Sequence, residues 1–389
     1  MKKAIQFGAG NIGRGFLGYL FSQAGYEVVF VEVVPEIARE LNIRRKYIIR
    51  IIDRHSKEIT VKNVRAVDGN DVDAVADEIA GADIAATAVG VNVLKNIVPA
   101  LARGLEKRAE QGGIPIDIII AENMLDAPGF LRKLLMKQVG KSYKKYVEEK
   151  VGLVATVIAR MIPLMPDAEK ARDPLSLWAE GYSVLPVDRQ GFVGKIPDIP
   201  GIVAARNFSA YEQRKLFIHN AGHAVCAYLG HLHGYGLIWQ AIRDEKIRSA
   251  VYGAMTESSL ALQKAYKFPA VEMAEHVDDL ISRFSNQALG DTIFRVARDP
   301  RRKLLPSDRL VGAARFAESM GVIPENISSG IAAAILYTEP GDEASVALQE
   351  EIKSRGYEKV IRKLCGIRPD ENLGKMIAEK IRRFKGGTI

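Results

Sequence analysis

Residues 3–32 read KAIQFGAGNIGRGFLGYLFSQAGYEVVFVE. The apolar run Lys3–Phe7 predicts a strand, residues 12–24 a helix, and Glu27–Glu32 a second strand. Between the first strand and the helix stands GAGNIG, residues 8–13, in the pattern G-x-G-x-x-G. Gly8 permits the tight turn, Gly10 lets the backbone approach a pyrophosphate, and Gly13 lets the helix pack closely on the sheet. With Ala9, Asn11 and Ile12 they form a cradle at a helix amino end, where backbone N–H groups and the helix dipole favour anions. The pattern gains weight from its place between strand and helix and from an acid, Glu32, about twenty residues further on. A carboxylate there accepts hydrogen bonds from ribose hydroxyls and repels a 2′-phosphate. The first Arg after it is Arg39, so the expected cofactor is NAD rather than NADP.

Working outward, 84–89 (IAATAV), 116–121 (IDIIIA) and 151–158 (VGLVATVI) read as further strands separated by helices. Continuous apolar strands of this kind imply a parallel sheet buried on both faces. From about Tyr211 the pattern turns helical, with long segments at 212–229 and 237–266. The switch falls in the Pro- and Gly-rich stretch 187–203, VDRQGFVGKIPDIPGIV, and such residues punctuate loops. The expected architecture is α/β: an amino-terminal Rossmann-type dinucleotide-binding domain with a mainly parallel sheet over 1–195. A mostly α-helical substrate and catalytic domain follows over 196–389, with the ligand expected in the cleft between them.

A chain of 389 residues suits two or three domains. Its 48% hydrophobic content argues against disorder. The net charge of +8 fits an anionic ligand. With no long basic block and no interleaved aromatics, it does not point to nucleic acid. Two cysteines, Cys226 and Cys365, exclude a disulfide framework and a Cys-rich zinc site, and suit a reducing compartment. No apolar run reaches the roughly 18–20 residues needed to span a bilayer. The opening MKKAIQFGAG enters the first strand at once, which leaves no room for a signal peptide. The expected protein is cytoplasmic, a monomer or small homo-oligomer, with neither membrane nor nucleic acid as partner.

A second motif lies in 211–229, YEQRKLFIHNAGHAVCAYL. Lys215, Asn220 and His223 form K-x4-N-x2-H. At about 100° per residue, His223 falls about 80° and Asn220 about 140° from Lys215, so one broad helix face carries all three. Oxidising an alcohol needs a base for the hydroxyl proton, and a buried Lys of lowered pKa can serve. Asn and His can donate hydrogen bonds to the oxygen as it becomes a carbonyl. A surface Lys, a polar residue and a packed His would give the same spacing. His219 and His223, four apart, with His231 and His233 downstream, could instead hold zinc. No Glu follows His219, however, as a zinc-protease motif requires.

With these two motifs in view, the chain resembles the polyol-specific long-chain dehydrogenase family over nearly its whole length. The resemblance rests on FGAGNIGRGF (7–16), AENM (121–124) and RKLFIHNAGHAVCAYLG (214–230). It continues in DEKIRSAVYGAM (244–255), RFSN (283–286), RKLLPSDRL (302–310) and IAAAI (331–335). It implies a metal-independent reaction interconverting D-mannitol 1-phosphate and NAD with D-fructose 6-phosphate and NADH. By the family motif Lys215 matches the general base, and Asn220 and His223 match the residues that orient and polarise the reacting oxygen. Asn123 matches a further Asn that helps bind this oxygen. Arg295 and Lys303, in RVARDPRRK, match basic residues of the substrate site. Arg160 and Arg283 are further cations that could meet the substrate's phosphate. One departure stands out: where relatives carry Asp-Arg before Ile-x-Pro, this chain has Ala159-Arg160 in VIARMIP. An enzyme acting on an unphosphorylated polyol or a hexuronate, and an NAD- and metal-dependent glycosidase, remain as alternatives.

Overall fold

Strand β1 (Lys3–Phe7) is almost wholly buried and lies near the middle of a parallel sheet. The computed structural model describes residues 1–53, 56–124, 126–163 and 165–387. The other strands of this sheet are β2 (Glu27–Glu32), β5 (Val64–Asp68), β6 (Ile84–Thr87), β7 (Ile116–Ile120) and β8 (Val151–Ala155), in the order β5-β2-β1-β6-β7-β8. Every pairing is parallel. Strand order reverses between β1 and β6, so their following loops part at the carboxyl edge, where open α/β sheets bind ligands.

Helices cover both faces, as continuous apolar strands require. On one side pack α3 (Val72–Ala80), α4 (Val98–Glu110), α5 (Ala127–Gln138) and Val147 of α6 (Lys144–Lys150). Only Val147 of α6 is buried, so its charged remainder is a solvated face. On the other side lie the helical run that begins at the Gly-rich loop and α2 (Pro35–Arg44). The predicted helix 12–24 forms, but residues Gly13–Gly18 make a π turn before α1 (Tyr19–Gln23).

Two features depart from the sequence reading. A hairpin, β3 (Lys46–Ile51) with β4 (Lys57–Lys62), is joined in parallel by β9 (Leu177–Ala179), and this small sheet packs Tyr47, Ile49 and Ile51 into the core beside Phe16 and Leu20. The Pro- and Gly-rich stretch contains β10 (Leu185–Asp188) and β11 (Ile202–Ala205), paired in parallel. Buried Asp117 of β7 accepts Val193 N–H at 2.8 Å and holds this stretch on the sheet. The chain accordingly divides into compact units at Met1–Phe208 and Ser209–Ile389, later than the expected boundary at 195/196.

The second unit is helical. It opens with α8 (Phe208–Arg214), a π segment Lys215–Asn220, and α9 (Ala221–Leu232), which is buried on nearly every side. Arg214 ties α8 down through Glu272 at 2.8 Å and lies over the Tyr211 and Phe268 rings. The predicted helix 237–266 is two: α10 (Ile238–Ala241) and α11 (Glu245–Tyr266). Asp244 breaks the run because its carboxylate accepts the Lys246 and Ile247 N–H groups, capping α11. The helices α12 (Ala270–Phe284), α13 (Ile293–Ala297), α14 (Pro300–Lys303), α15 (Val311–Ser319) and α16 (Glu325–Leu336) follow, with α16 against α9 and α11. An antiparallel bridge joins Leu237 to Thr292. Among the described residues no helix is long and apolar enough to cross a membrane.

Candidate active site

In the first unit the Gly-rich loop is shaped by backbone contacts. Gly8 sits at φ 86°, open to glycine, and its N–H donates to Val31 O at 2.9 Å. A Cβ on Gly13 would stand 1.9 Å from Gly8 O, so only glycine closes this turn. A Cβ on Gly10 would meet no atom of the described residues within 4 Å. The space above Gly10 is therefore room that a methyl would fill and a pyrophosphate could use, and the loop fits a dinucleotide.

Glu32 does more than the sequence suggests. Its carboxylate accepts Ala9 N–H at 2.8 Å, Val33 N–H at 2.8 Å and Val34 N–H at 2.9 Å. It fixes the loop while keeping lone pairs for hydroxyl donors. Arg14, buried within the motif, donates to Ala9 O at 2.5 Å and Leu175 O at 2.7 Å, bracing the same loop. A cavity of about 450 Å³ opens beside it, with Asn11, Arg14, Glu36, Ile37, Lys170 and Ser176 among its lining residues.

After β7, buried Glu122 accepts Val89 N–H at 3.0 Å and Gly90 N–H at 2.8 Å, joining the loops that follow β6 and β7. Asn123, next to it, is exposed. Arg160 is buried instead. Its Nε donates to Glu180 O at 2.9 Å, its guanidinium lies over Phe16 and Tyr19, and Nη1 has no partner among the described residues. Burial lowers its pKa.

In the second unit Lys215, Asn220 and His223 share one unbroken helical run. The π segment corrects the even 100° spacing. A turn closed by i→i+5 bonds rotates less per residue, so Asn220 comes nearer the Lys215 face than a regular helix would bring it. Burial and the positive charge of Arg309 lower the Lys215 amine to about 8. The His223 ring stacks on Phe284, centroids 4.6 Å apart at 14°. Its Nε2 lies 3.1 Å from Oδ2 of buried Asp291.

The substrate-site cations also gather in this unit. Arg295 Nε donates to Asp291 Oδ1 at 2.6 Å, while its side chain stays 58% exposed. Burial works to raise the Asp291 carboxyl, but His223 and Arg295 outweigh it and hold it below the usual range. Lys303 is buried, donates to Arg298 O, and is lowered to about 8 by burial and by Arg309 and Arg302. Arg309, paired with Asp308 at 2.8 Å, is thus an electrostatic neighbour of both lysines. Arg283 is buried at the end of α12, 3.4 Å from Asp279, and its charge acts on His219 and His276. Burial and Arg283 keep His219 neutral, its pKa far below the ordinary value. Among the described residues no group of three or more His, Cys, Asp or Glu side chains is placed to hold a metal.

Comparison with known proteins gives this arrangement a family. Residues 2–201 match the mannitol dehydrogenase Rossmann domain, and 207–381 match the mannitol dehydrogenase C-terminal domain. The chain belongs to the mannitol dehydrogenase family. Mannitol-1-phosphate 5-dehydrogenase of Bacillus licheniformis is 36% identical over 97% of this chain and 99% of its own. Mannitol-1-phosphate 5-dehydrogenase of Brevibacillus brevis is 36% identical over 98% of each chain. Two solved structures share the fold. A substrate-free D-sorbitol dehydrogenase has a TM-score of 0.83 at 17% identity, covering 99% of this chain and 94% of its own. Pseudomonas fluorescens mannitol 2-dehydrogenase, in a ternary complex with NAD and D-mannitol, has a TM-score of 0.74 at 14% identity, covering 99% and 92%.

This mannitol dehydrogenase family member is an oxidoreductase acting on a CH–OH group. The structure adds Asp291, Phe284, Arg309 and Glu122 to the residues read from sequence. The spacing of Asp291 and Arg295, four apart, was a usable local signal. Nothing in the sequence pairs Asp291 with His223.

Proposed function

We propose that the chain interconverts D-mannitol 1-phosphate and D-fructose 6-phosphate with NAD(H), without a metal, and with Lys215 as general acid and base. The observation that carries this reading is Lys215 itself, lowered to about 8 and followed on one helical run by Asn220 and His223. The names of the relatives at 36% identity support the substrate pair.

NAD, when bound, supplies the hydride acceptor. In the oxidation direction the neutral Nζ of Lys215 takes the hydroxyl proton, and in reduction its ammonium returns it. Asn220 and His223 hold the oxygen as its charge changes. Asn123 is a further oxygen ligand on the family resemblance alone. Arg295 and Lys303 are assigned to the phosphate, with Arg283 and the unpartnered Nη1 of Arg160 as further candidate contacts. Arg and Lys are the natural partners of such a dianion. Gly8, Ala9, Gly10, Asn11, Ile12 and Gly13 are assigned to the pyrophosphate, and Glu32 to the adenosine ribose.

The deciding assay is NADH oxidation with fructose 6-phosphate against fructose, other ketoses and hexuronates, before and after exhaustive EDTA treatment. Fructose 6-phosphate is expected to be far the best substrate and EDTA to change nothing. Equal turnover of fructose rejects the phosphate assignment, and a loss restored by zinc or manganese rejects the metal-free mechanism.

Glu32 sets the second expectation. Juxtaposed like charges cost several kcal/mol, so NADP(H) should fall behind NAD(H) by about 100-fold or more in kcat/KM. Parallel kinetics with both cofactors check this, and equal values count against Glu32 as the discriminator. Because Glu32 also holds Ala9, replacing it should loosen the loop as well as change preference.

A further inference from the structure

His223 is held by two independent constraints. Phe284 fixes the plane of the ring by stacking. Asp291 fixes its rotation within that plane, through the 3.1 Å approach of Oδ2 to Nε2. Nδ1 is then the ring nitrogen left to meet a substrate oxygen. The carboxylate of buried Asp291 therefore decides which edge of the ring faces the substrate, and with it the direction from which His223 meets a developing oxyanion.

The other oxygen of the same carboxylate is engaged by Arg295, from Nε at 2.6 Å and Nη2 at 2.5 Å. A guanidinium has five N–H donors, so three remain for an anion at its exposed side. Asp291 cannot drift to favour either partner. The bridge between Leu237 and Thr292 clamps its neighbour, Ile238 N–H donates to its own carbonyl at 2.9 Å, and Ile293 N–H donates to Gly236 O at 2.9 Å. Thr292 then caps α13 by accepting Arg295 N–H at 3.1 Å.

We propose that Asp291 is a positioning residue that couples recognition of the substrate's anionic end, at Arg295, to the orientation of His223 at the reacting oxygen. A phosphate on Arg295 competes with Asp291 for the guanidinium and leaves the carboxylate free to hold His223. The phosphate therefore raises the rate of the chemical step as well as affinity. This rests on the phosphorylated-ketose reading above.

The experiment is a double-mutant cycle of Asp291→Asn and Arg295→Met, read as kcat and KM separately for fructose 6-phosphate and fructose. The parent should favour the phosphorylated ketose in kcat as well as KM. Asp291→Asn keeps the shape and removes the charge. It should lower kcat for fructose 6-phosphate by about 10–100-fold, change KM by less than about threefold, and leave NADH affinity unchanged, the pattern of an interaction used in the transition state. Arg295→Met, on an exposed side chain, frees Asp291 as a bound phosphate would; it should raise KM for fructose 6-phosphate, raise kcat for fructose toward that for fructose 6-phosphate, and have no such kcat effect in the Asp291→Asn background. An unaltered kcat in Asp291→Asn, a kcat for fructose that Arg295→Met leaves unchanged, or the same kcat effect of Arg295→Met with and without Asp291 would each overturn the coupling. Should Asp291→Asn fail to fold, the kcat of Arg295→Met alone decides. A parent that ignores fructose 6-phosphate and reduces another ketose or a uronate defeats the functional reading instead. The cycle is then run on that substrate with the same criteria.

Discussion

Lys215→Ala is expected to lower kcat by about 10²–10⁴-fold, the span that general acid–base catalysis contributes. NADH affinity should stay close to that of the parent, because the Gly-rich loop belongs to the other unit. The pH profiles carry the sign. An amine lowered to about 8 is neutral above that pH and charged below it. Alcohol oxidation needs the neutral form, so its rate should rise with pH through about 8. Ketone reduction needs the ammonium and should fall over the same interval. The variant should lose both limbs, and a folded variant that retains wild-type kcat and profile would place the base elsewhere.

Stability should move the opposite way. The folded pKa lies below the ordinary lysine value of about 10.4. Between the two the unfolded chain binds the extra proton, and stability rises with pH across that window. Below it the folded protein carries a charged amine in a site that disfavours charge. Lys215→Met should therefore raise Tm at pH 7 while abolishing turnover, which thermal unfolding at pH 7 and pH 10 would test.

The second large effect separates two glycines of one loop. Gly13→Ala forces a methyl against Gly8 O, backbone that has no cheap way to yield. Overpacking of this kind costs about 1–3 kcal/mol or more, so a clear fall in Tm and loss of NADH binding are expected together. Gly10→Ala meets nothing among the described residues. It should leave Tm nearly unchanged and yet displace the pyrophosphate from the helix N–H groups. Each charge-assisted hydrogen bond is worth about 1.5–3 kcal/mol, so losing one weakens NADH about 10- to 150-fold. Fluorescence titration of NADH with thermal melts of both variants checks the contrast. Undiminished NADH affinity in Gly10→Ala would mean that the cofactor does not lie over this loop.

The parallel sheet was legible because β1, β2, β6, β7 and β8 are short apolar runs between helices, a pattern that only a doubly covered sheet satisfies. The β3–β4 hairpin was not. Its strands, KYIIRI and KEITVK, carry charges on the face turned to solvent, and their apolar positions look sparse until a partner sheet is known. The pair β10–β11 hid in a stretch whose Pro and Gly content reads as a linker, and the loop between the two strands is held at Val193 by Asp117 of a strand distant in sequence. At the site, Lys215, Asn220 and His223 could be read from local spacing. The partners that tune them, Asp291, Phe284 and Arg309, reach them through tertiary packing that spacing does not encode.

The turn at Lys215–Asn220 has a consequence for what the chain tolerates by insertion or deletion. A π turn is a helix that has absorbed one surplus residue. Removing a single residue between Lys215 and Asn220 would therefore return the backbone to a regular helix with α8 and α9 nearly in phase, whereas removing one from the regular turns of α9 would rotate everything upstream by about 100° against everything downstream. In the second case Arg214 would swing away from Glu272 and from the Phe268 ring, carrying Tyr211 with it. The four-residue gap in K-x4-N is in this sense a measurement of the backbone's winding: the π turn has room to give up a residue, and the regular turns beside it do not.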